Sequence, residues 1–158
     1  MIDRVRQVVD RALSIALVVI MAALVLDVLW QVFTRFVLRN PSSYTEELAR
    51  YLMIWVGLLG AAYAAGKHMH LSMDLLRLKG RLQLAHKLVV HGFTVAFAIG
   101  ALVVGGGRLV WTMLYLGQTS AALSIPLGYL YLAVPISGLL ITFYAAYDIS
   151  EALRTRGR

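Results

Sequence analysis

The sequence contains no cysteine and few charged residues. Without cysteine, the chain can form no disulfide, no thiol nucleophile and no thiolate site for zinc or an iron–sulfur cluster. Only 15% of its 158 residues are charged, whereas soluble domains are about 25% charged. A water-soluble globule of this length needs more polar surface than these residues supply. The two shortages therefore exclude thiol chemistry and favour a membrane protein.

The motifs that usually carry catalysis are missing as well. The sequence has no glycine-rich phosphate loop, no Ser/His/Asp arrangement and no HExxH zinc motif. It also lacks a pair of short, broken hydrophobic segments in corresponding halves, which is typical of the substrate site of a transporter. The chain is therefore predicted to be neither an enzyme nor a complete translocation pathway.

Apolar side chains are abundant: they make up 60% of the sequence and give it a mean hydropathy of +0.76. They form long blocks, and about 20 helical residues span a ~30 Å hydrocarbon core. Because backbone polar groups must be satisfied within lipid, these blocks are helices. We predict a single all-α membrane domain over residues 1–158, with four long, tilted transmembrane helices at about 11–37, 45–66, 85–116 and 126–147.

Basic residues predict the orientation of these helices. Eleven of the 15 Lys and Arg residues lie in the terminal segments and around the middle connection: Arg4, Arg6, Arg11, Lys67, Arg77, Lys79, Arg81, Lys87, Arg154, Arg156 and Arg158. Because cytoplasmic segments carry an excess of Lys and Arg, we expect both termini in the cytoplasm. The net charge of +7 is spread over short runs rather than gathered into one patch, which argues against a nucleic-acid partner and for contact with membrane lipids.

Three polar residues share one face of the first predicted helix, because Asp27, Gln31 and Arg35 are four residues apart. Charges at membrane depth indicate a partner or a pathway. This face is either a proton or ion relay, or a polar seam between helices in which Arg35 pairs with Glu46 or Glu47; we favour the seam. Asp27 lies deepest and has no obvious partner in the sequence.

Two acids and a base open the second predicted helix. Glu46 and Arg50 have the spacing of an i,i+4 ion pair, and acids stabilise a helix N-terminus. Glu46 and Glu47 therefore either begin the helix well or form a carboxylate site for a cation or a partner chain. The sequence leaves both interpretations open.

Small residues form a further face of the second helix. Gly57, Gly60 and Ala61 would let another helix approach closely. We expect that neighbouring helix to belong to this chain, so that the three residues form an internal packing seam.

The third predicted helix is longer than a bilayer requires. Lys87 and Arg108 are about 31 Å apart at 1.5 Å per residue, so they can occupy opposite interfaces of the membrane. The three consecutive glycines at 105–107 form either a hinge or a contact with a larger neighbour.

Four histidines lie near the predicted cytoplasmic ends of the second and third helices: His68, His70, His86 and His91. A bis-histidine haem between two helices is conceivable. However, His68 and His70 fall in the predicted connection 67–84, whereas membrane cytochromes usually hold haem from within the spans. We therefore expect histidines at the lipid headgroups and no haem.

The sequence resembles a known family, chiefly between Arg35 and Asp74. The run Tyr-Thr-Glu-Glu-Leu-Ala-Arg-Tyr at 44–51 and the run His-Leu-Ser-Met-Asp at 70–74 are similar to the small membrane subunit of tripartite ATP-independent periplasmic (TRAP) transporters. Further positions also fit this family: Phe36, Asn40, Pro41, Trp55, Gly60, Ala61, Gln118, Ser124, Ile125, Pro126, Tyr131 and Pro135. The resemblance extends over essentially the whole chain.

The resemblance implies a function. In this family the small subunit binds a large, many-helix permease that carries substrate and sodium by an elevator motion. A separate periplasmic binding protein delivers the substrate, typically an organic acid. The chain would then be a non-catalytic scaffold in the cytoplasmic (inner) membrane of a bacterium or archaeon, and would help dock the binding protein. It would hold no cofactor or metal, because sodium is expected in the permease.

The resemblance also implies places for individual residues. Four of them would form a polar cluster at the periplasmic end: Arg35, Glu46, Glu47 and Arg50. His70 and Asp74 would belong to a cytoplasmic turn, and Pro126 to the entry of the fourth helix.

Two other functions are compatible with the residues. The first is a self-contained, homodimeric four-helix exporter with Asp27 as its proton-coupled carboxylate. The second is a haem-carrying membrane anchor of an oxidoreductase, which would use the histidines as ligands.

Overall fold

The computed structural model describes the backbone of residues 2–40, 42–75 and 81–154, and the side chains of residues 4–40, 42–67 and 89–150. In chain order, these residues form α1 (Ile2–Phe36), α2 (Ser43–Leu75), α3 (Arg81–Phe97), a π-helical segment (Ala98–Gly105), α4 (Gly106–Tyr115), α5 (Leu127–Tyr131) and α6 (Ala133–Arg154).

Within the described residues, four helical stretches are long and apolar enough to cross a membrane: Arg4–Phe36, Ser43–Lys67, Val89–Tyr115 and Leu127–Ser150. The prediction of an all-α membrane protein with four spans is confirmed. We call the end with the connections 37–42 and 117–126 the loop end. The opposite end, where α1 begins and α6 ends, is the terminal end.

The first two helices are longer than predicted. α1 begins at Ile2 rather than at residue 11, and α2 continues to Leu75 rather than ending at residue 66. The predicted bounds followed the apolar blocks, but Arg, Gln, Lys, Leu and Met all favour helix in water. Both helices therefore extend beyond their apolar blocks at the terminal end.

The extension of α2 corrects the placement of three residues. His68, His70 and Asp74 were expected in a connection or turn, yet the backbone is helical through all three positions. Their side chains lie outside the described residues. The argument that His68 and His70 are non-helical, which counted against haem, is therefore wrong.

The third and fourth spans are interrupted rather than continuous. The predicted helix 85–116 is divided by the π segment, where the N–H of Gly106 reaches the carbonyl of Ala101, five residues back. The predicted helix 126–147 begins at Leu127 and breaks at Leu132. Pro135 inside the predicted helix would remove a backbone hydrogen bond and kink it. The helix instead breaks three residues earlier, which places the proline in the first turn of α6, where its missing N–H is tolerated.

Neighbouring helices pack in the order α1, α2, α6 and then α3 with the π segment. One line of α1 residues, seven apart, faces this packing: Arg6, Leu13, Ile20, Asp27 and Thr34. Leu13 is buried with Leu59 of α2 and Tyr144 of α6, and Ile20 packs against them. Residues seven apart stay on one side of a helix, so this line forms the inner edge of α1.

Glycines allow close contact on both sides of α6. A Cβ on Gly106 would lie 2.7 Å from Cγ1 of Val134, and one on Gly138 would lie 2.6 Å from Cβ of Leu102. On the α2 side, a Cβ on Gly66 would lie 2.9 Å from the ring of Tyr144. These distances are shorter than van der Waals contact, so a larger side chain would push the helices apart.

Candidate functional site

At the loop end, the carboxylate of Glu47 holds the last connection against the start of α2. Its Oε2 accepts hydrogen bonds from the backbone N–H groups of Ala122, at 2.7 Å, and Leu123, at 3.1 Å. Its Oε1 accepts one from the hydroxyl of Tyr51 at 2.5 Å. Hydrogen bonds to a charged acceptor are stronger than neutral ones, so Glu47 fixes a segment that lies 75 residues further along the chain.

The connection 117–126 has its own internal structure. The N–H of Ser120 donates to the carbonyl of Ile125, and the N–H of Leu127 to that of Gln118, both at 2.9 Å. Gly117 has a φ of 60°, a left-handed conformation that glycine adopts without strain. The connection is therefore a compact turn rather than a loose loop.

Glu46, the other acid, points to the surface. It forms an ion pair with Arg50 at 3.6 Å, and both side chains are 68% exposed. Arg35 is exposed as well, and its guanidinium lies 5.9 Å from the ring of Phe36. Among the described residues neither glutamate forms an ion pair with Arg35, so the predicted pairing is wrong.

At the terminal end, Arg6 joins three helices. Its guanidinium donates a hydrogen bond to the carbonyl of Gly66 in α2 at 3.0 Å, and forms an ion pair with Asp148 in α6 at 3.5 Å. It also lies 4.6 Å from the centre of the Tyr147 ring, within the range of a cation–π contact. The side chains of Arg6 and Asp148 are only 12% and 4% exposed, so the pair is buried.

A second set of contacts lies beside the first. The hydroxyl of Tyr144 donates to Oδ1 of Asp10 at 2.6 Å, and Lys67 contacts Oδ2 of the same carboxylate at 3.3 Å. Asp10 therefore joins α1 to α2 and α6. We call these residues and those around Arg6 the terminal network: Arg6, Asp10, Gly66, Lys67, Tyr144, Tyr147 and Asp148.

Sequence reasoning missed the terminal network. It treated Arg6 and Lys67 only as markers of orientation, and it did not single out Asp10 or Asp148. Two signals were present: Arg6 is seven residues before Leu13, and Asp148 is an acid at the end of an otherwise apolar span. Neither signal identifies the partner, because Tyr144 and Asp10 are 134 residues apart.

Asp27 lies on the inner edge of α1 and is half-buried. Its Oδ2 is enclosed and accepts no hydrogen bond. Gln31, one turn further on, is half-buried, while Arg35 is exposed. The three polar residues of this face therefore have different surroundings, and among the described residues no hydrogen bond joins their side chains.

The three small residues of α2 do not all pack within the chain. Gly60 lies near α1, with Cδ2 of Leu17 4.0 Å from the position of a Cβ. Gly57 and Ala61 are exposed, and no atom lies within 4 Å of a Cβ on Gly57. The predicted internal seam is thus wrong for Gly57 and Ala61, because the described helices do not cover that side of α2.

The remaining predicted residues lie on the second half of the chain. Arg108 is exposed on α4, and no ion pair within the described residues involves it. Pro126 directly precedes α5, with φ −59° and ψ 124°. His91 is buried in α3, at 5% exposure. In the part of the chain that the structure describes, no three His, Asp or Glu side chains come together as a metal site.

The fold and these contacts define a four-span membrane protein whose polar groups join its own helices at both ends. Residues 24–155 match the family described as tripartite ATP-independent periplasmic transporters, DctQ component. Because this match covers most of the sequence, the chain belongs to that family. The resemblance drawn from the sequence is thereby confirmed.

Curated relatives agree with this assignment. The chain is 31% identical over 147 residues to the sialic acid TRAP transporter small permease protein SiaQ of Vibrio cholerae serotype O1. The aligned region covers 87% of this chain and 79% of that protein. The chain is also 29% identical over 102 residues to the C4-dicarboxylate TRAP transporter small permease protein DctQ of Rhodobacter capsulatus. Here the aligned region covers 63% of this chain and 44% of that protein.

Membership in this family answers several questions at once. The chain is the small permease subunit of a TRAP transporter, and it is a non-catalytic inner-membrane protein rather than an enzyme. Small permeases of this family work with a large permease and a periplasmic binding protein in a tripartite system.

Proposed function

We propose that this subunit is a static scaffold for the large, elevator-type permease of a sodium-coupled organic acid transporter. The relatives named above are small permeases of a sialic acid transporter and of a C4-dicarboxylate transporter. Both named substrates are carboxylic acids. The large permease carries the acid and the sodium ions, as the family resemblance implies. The small subunit holds that permease in the membrane while its transport domain moves.

One observation carries the scaffold role: the helices are joined to one another at both ends. At the terminal end, Arg6 contacts α2 and α6 from α1. At the loop end, Glu47 of α2 holds the connection between α4 and α5. A subunit that braces a moving neighbour must keep its own helices in place, and buried polar contacts between helices resist their sliding.

The uncovered side of α2 supports contact with a larger membrane protein. Gly57 and Ala61 are exposed on this side, and Met53 is 62% exposed. Small residues let a neighbouring helix approach closely, and such packing drives helix association in lipid. We infer that the permease covers part of this side.

We further propose that the loop end faces the periplasm and helps dock the binding protein. The excess of Lys and Arg at the terminal end supports a cytoplasmic location for that end. At the loop end, the exposed ion pair of Glu46 and Arg50 lies in α2, beside the compact turn that Glu47 holds. A soluble protein can bind such a polar surface without entering the bilayer.

Reconstitution tests the proposal. Proteoliposomes with a sodium gradient would receive the large permease alone, this chain alone, or both, together with a binding protein loaded with sialic acid or a C4-dicarboxylate. Uptake is expected only with both chains, and the permease should co-purify with this subunit whatever the cargo. Equal uptake by the permease alone would contradict the scaffold role, and uptake by this chain alone would favour the exporter alternative.

A further inference from the structure

Asp27 is a carboxylate within the membrane. It lies eight residues from Arg35 and sixteen from Arg11 along α1, or about 12 Å and 24 Å at 1.5 Å per residue. When these two cations lie at opposite interfaces of a ~30 Å core, Asp27 is well inside the hydrocarbon region. Acidic residues at this depth are costly and almost always have a partner or face a cavity.

Among the described residues, none donates a hydrogen bond to the Asp27 carboxylate. The Oδ2 of Asp27 is buried and accepts no hydrogen bond. The other polar residues on the inner edge of α1 are satisfied: Arg6 bonds to Gly66 and Asp148, and the hydroxyl of Thr34 donates to the carbonyl of Gln31 at 3.0 Å. Arg35 is too far along the helix to reach Asp27.

The side chain of Asp27 is nevertheless open to one side of α1. It is only half-buried, and its neighbours one turn away in each direction, Ala23 and Trp30, are exposed. Residues three and four apart share a helix face. The oxygen that is enclosed is Oδ2, so a helix from another chain can reach the carboxylate through its other oxygen, Oδ1, along this flank, where the small side chain of Ala23 permits close approach.

We propose that Asp27 accepts a hydrogen bond from a polar or basic side chain on a transmembrane helix of the large permease. This inference rests on the proposed function, and it adds a specific contact to it. The acceptor of the small subunit and the donor of the permease satisfy each other within the lipid, where neither has water as an alternative partner. The flank formed by Ala23, Asp27 and Trp30 then belongs to the interface between the two subunits.

Hydrogen bonding and charge argue against lipid and against a second copy of this chain as the occupant of this flank, and the family supplies the large permease as the remaining membrane partner. Lipid tails offer no donor. A second copy of this chain, related by a two-fold axis along the flank, would present the same surface to itself. It would bring two Asp27 carboxylates together in a medium of low dielectric constant, where like charges repel strongly. A different chain that carries a donor avoids this repulsion.

Site-specific photo-crosslinking tests the contact in the assembled complex. A photoreactive amino acid at position 23 lies on the flank of Asp27. The same group at position 18 is the control, because Val18 is 66% exposed and lies two and a half turns from Asp27, on the opposite side of α1. Crosslinks to the large permease are expected from position 23 and not from position 18. A crosslink from position 18 alone would overturn the inference, although the scaffold role would stand.

Substitution of the carboxylate gives a second readout. Asp27→Leu should weaken association with the permease about tenfold, since it removes a hydrogen bond within the membrane. Leucine at this depth favours insertion, so the yield and melting temperature of the isolated subunit should not fall. Undiminished co-purification of the permease with this variant would overturn the inference. Failure of the scaffold role itself would appear differently, as wild-type uptake by a permease that lacks this subunit.

Discussion

Glu46 and Glu47 are consecutive acids with different surroundings. Glu46 pairs with Arg50 at the surface, whereas Glu47 accepts two backbone N–H groups and a tyrosine hydroxyl. An exposed i,i+4 pair contributes only about 0.3–0.5 kcal/mol. A carboxylate that holds a distant turn has a larger structural role, and the pair of residues offers a matched comparison.

We expect Glu47→Gln to loosen the connection 117–126. The amide group is neutral and presents a donor where acceptors are needed, so the N–H groups of Ala122 and Leu123 lose their charged partner. Hydrogen exchange at these two amides should become faster, and Glu46→Gln should leave it unchanged. Equal exchange in both variants would show that the turn holds its conformation without Glu47.

A second prediction at this scale concerns Arg6. Arg6→Ala removes the guanidinium from Asp148, whose side chain is buried, and breaking a buried pair in this way costs about 3–5 kcal/mol. Arg4→Ala is the control, because Arg4 is exposed and exposed substitutions usually stay within about 0.5 kcal/mol. The free energy of unfolding in detergent micelles measures both. A similar small loss in the two variants would contradict a structural role of the terminal network.

At the scale of elements, the glycines at 105–107, predicted to form a hinge or a contact with a larger neighbour, have different surroundings. Gly106 packs against Val134 and Pro135 at the start of α6, whereas no atom of the described residues lies within 4 Å of a Cβ on Gly107. The central glycine is thus a contact within the chain, and the following one is open. Both positions have helical backbone, so their difference comes from packing alone.

Alanine at each position should therefore have opposite effects. Gly106→Ala places a methyl group 2.7 Å from Val134 and should destabilise the fold by about 1–3 kcal/mol. Gly107→Ala should be neutral or stabilise it by up to about 1 kcal/mol, because alanine favours helix. Melting temperatures in detergent compare the two. Destabilisation by Gly107→Ala would mean that another helix covers that position.

The four spans could be predicted because apolar blocks record contact with lipid directly. The ends of α1 and α2 could not, because charged and polar residues remain helical in water and produce no apolar signal. The π segment and the break at Leu132 lie where Gly106 and Gly138 pack closely against neighbouring residues. Such packing depends on which helices meet, and composition does not give this.

The polar sites follow the same rule. The pair of Glu46 and Arg50 could be predicted because its partners are four residues apart on one helix. The contacts of Glu47 with Ala122 and of Arg6 with Asp148 join distant parts of the chain, and no local pattern connects them. The sequence predicts Asp27 as a deep acid, but its enclosed oxygen is a property of the folded chain.

For the whole molecule, the absence of cysteine makes the orientation simple to measure. Single substitutions Ala121→Cys, at the loop end, and Ser150→Cys, at the terminal end, introduce exposed thiols. An impermeant maleimide should label the first in intact spheroplasts, and the second only after the membrane is opened. The reverse pattern would place the loop end in the cytoplasm, where it could not meet a periplasmic protein.

The length of α1 has a consequence for the lipid that surrounds the molecule. Its 35 residues extend about 51 Å, roughly 20 Å more than the hydrocarbon thickness. Arg6 is in the second turn, so we expect its ion pair with Asp148 at headgroup level or beyond. When the bilayer becomes thicker or thinner, the boundary of its hydrocarbon region moves along the apolar part of α1 and does not reach that pair. The contacts of Arg6 that hold the three helices together are therefore independent of the acyl-chain length of the host membrane.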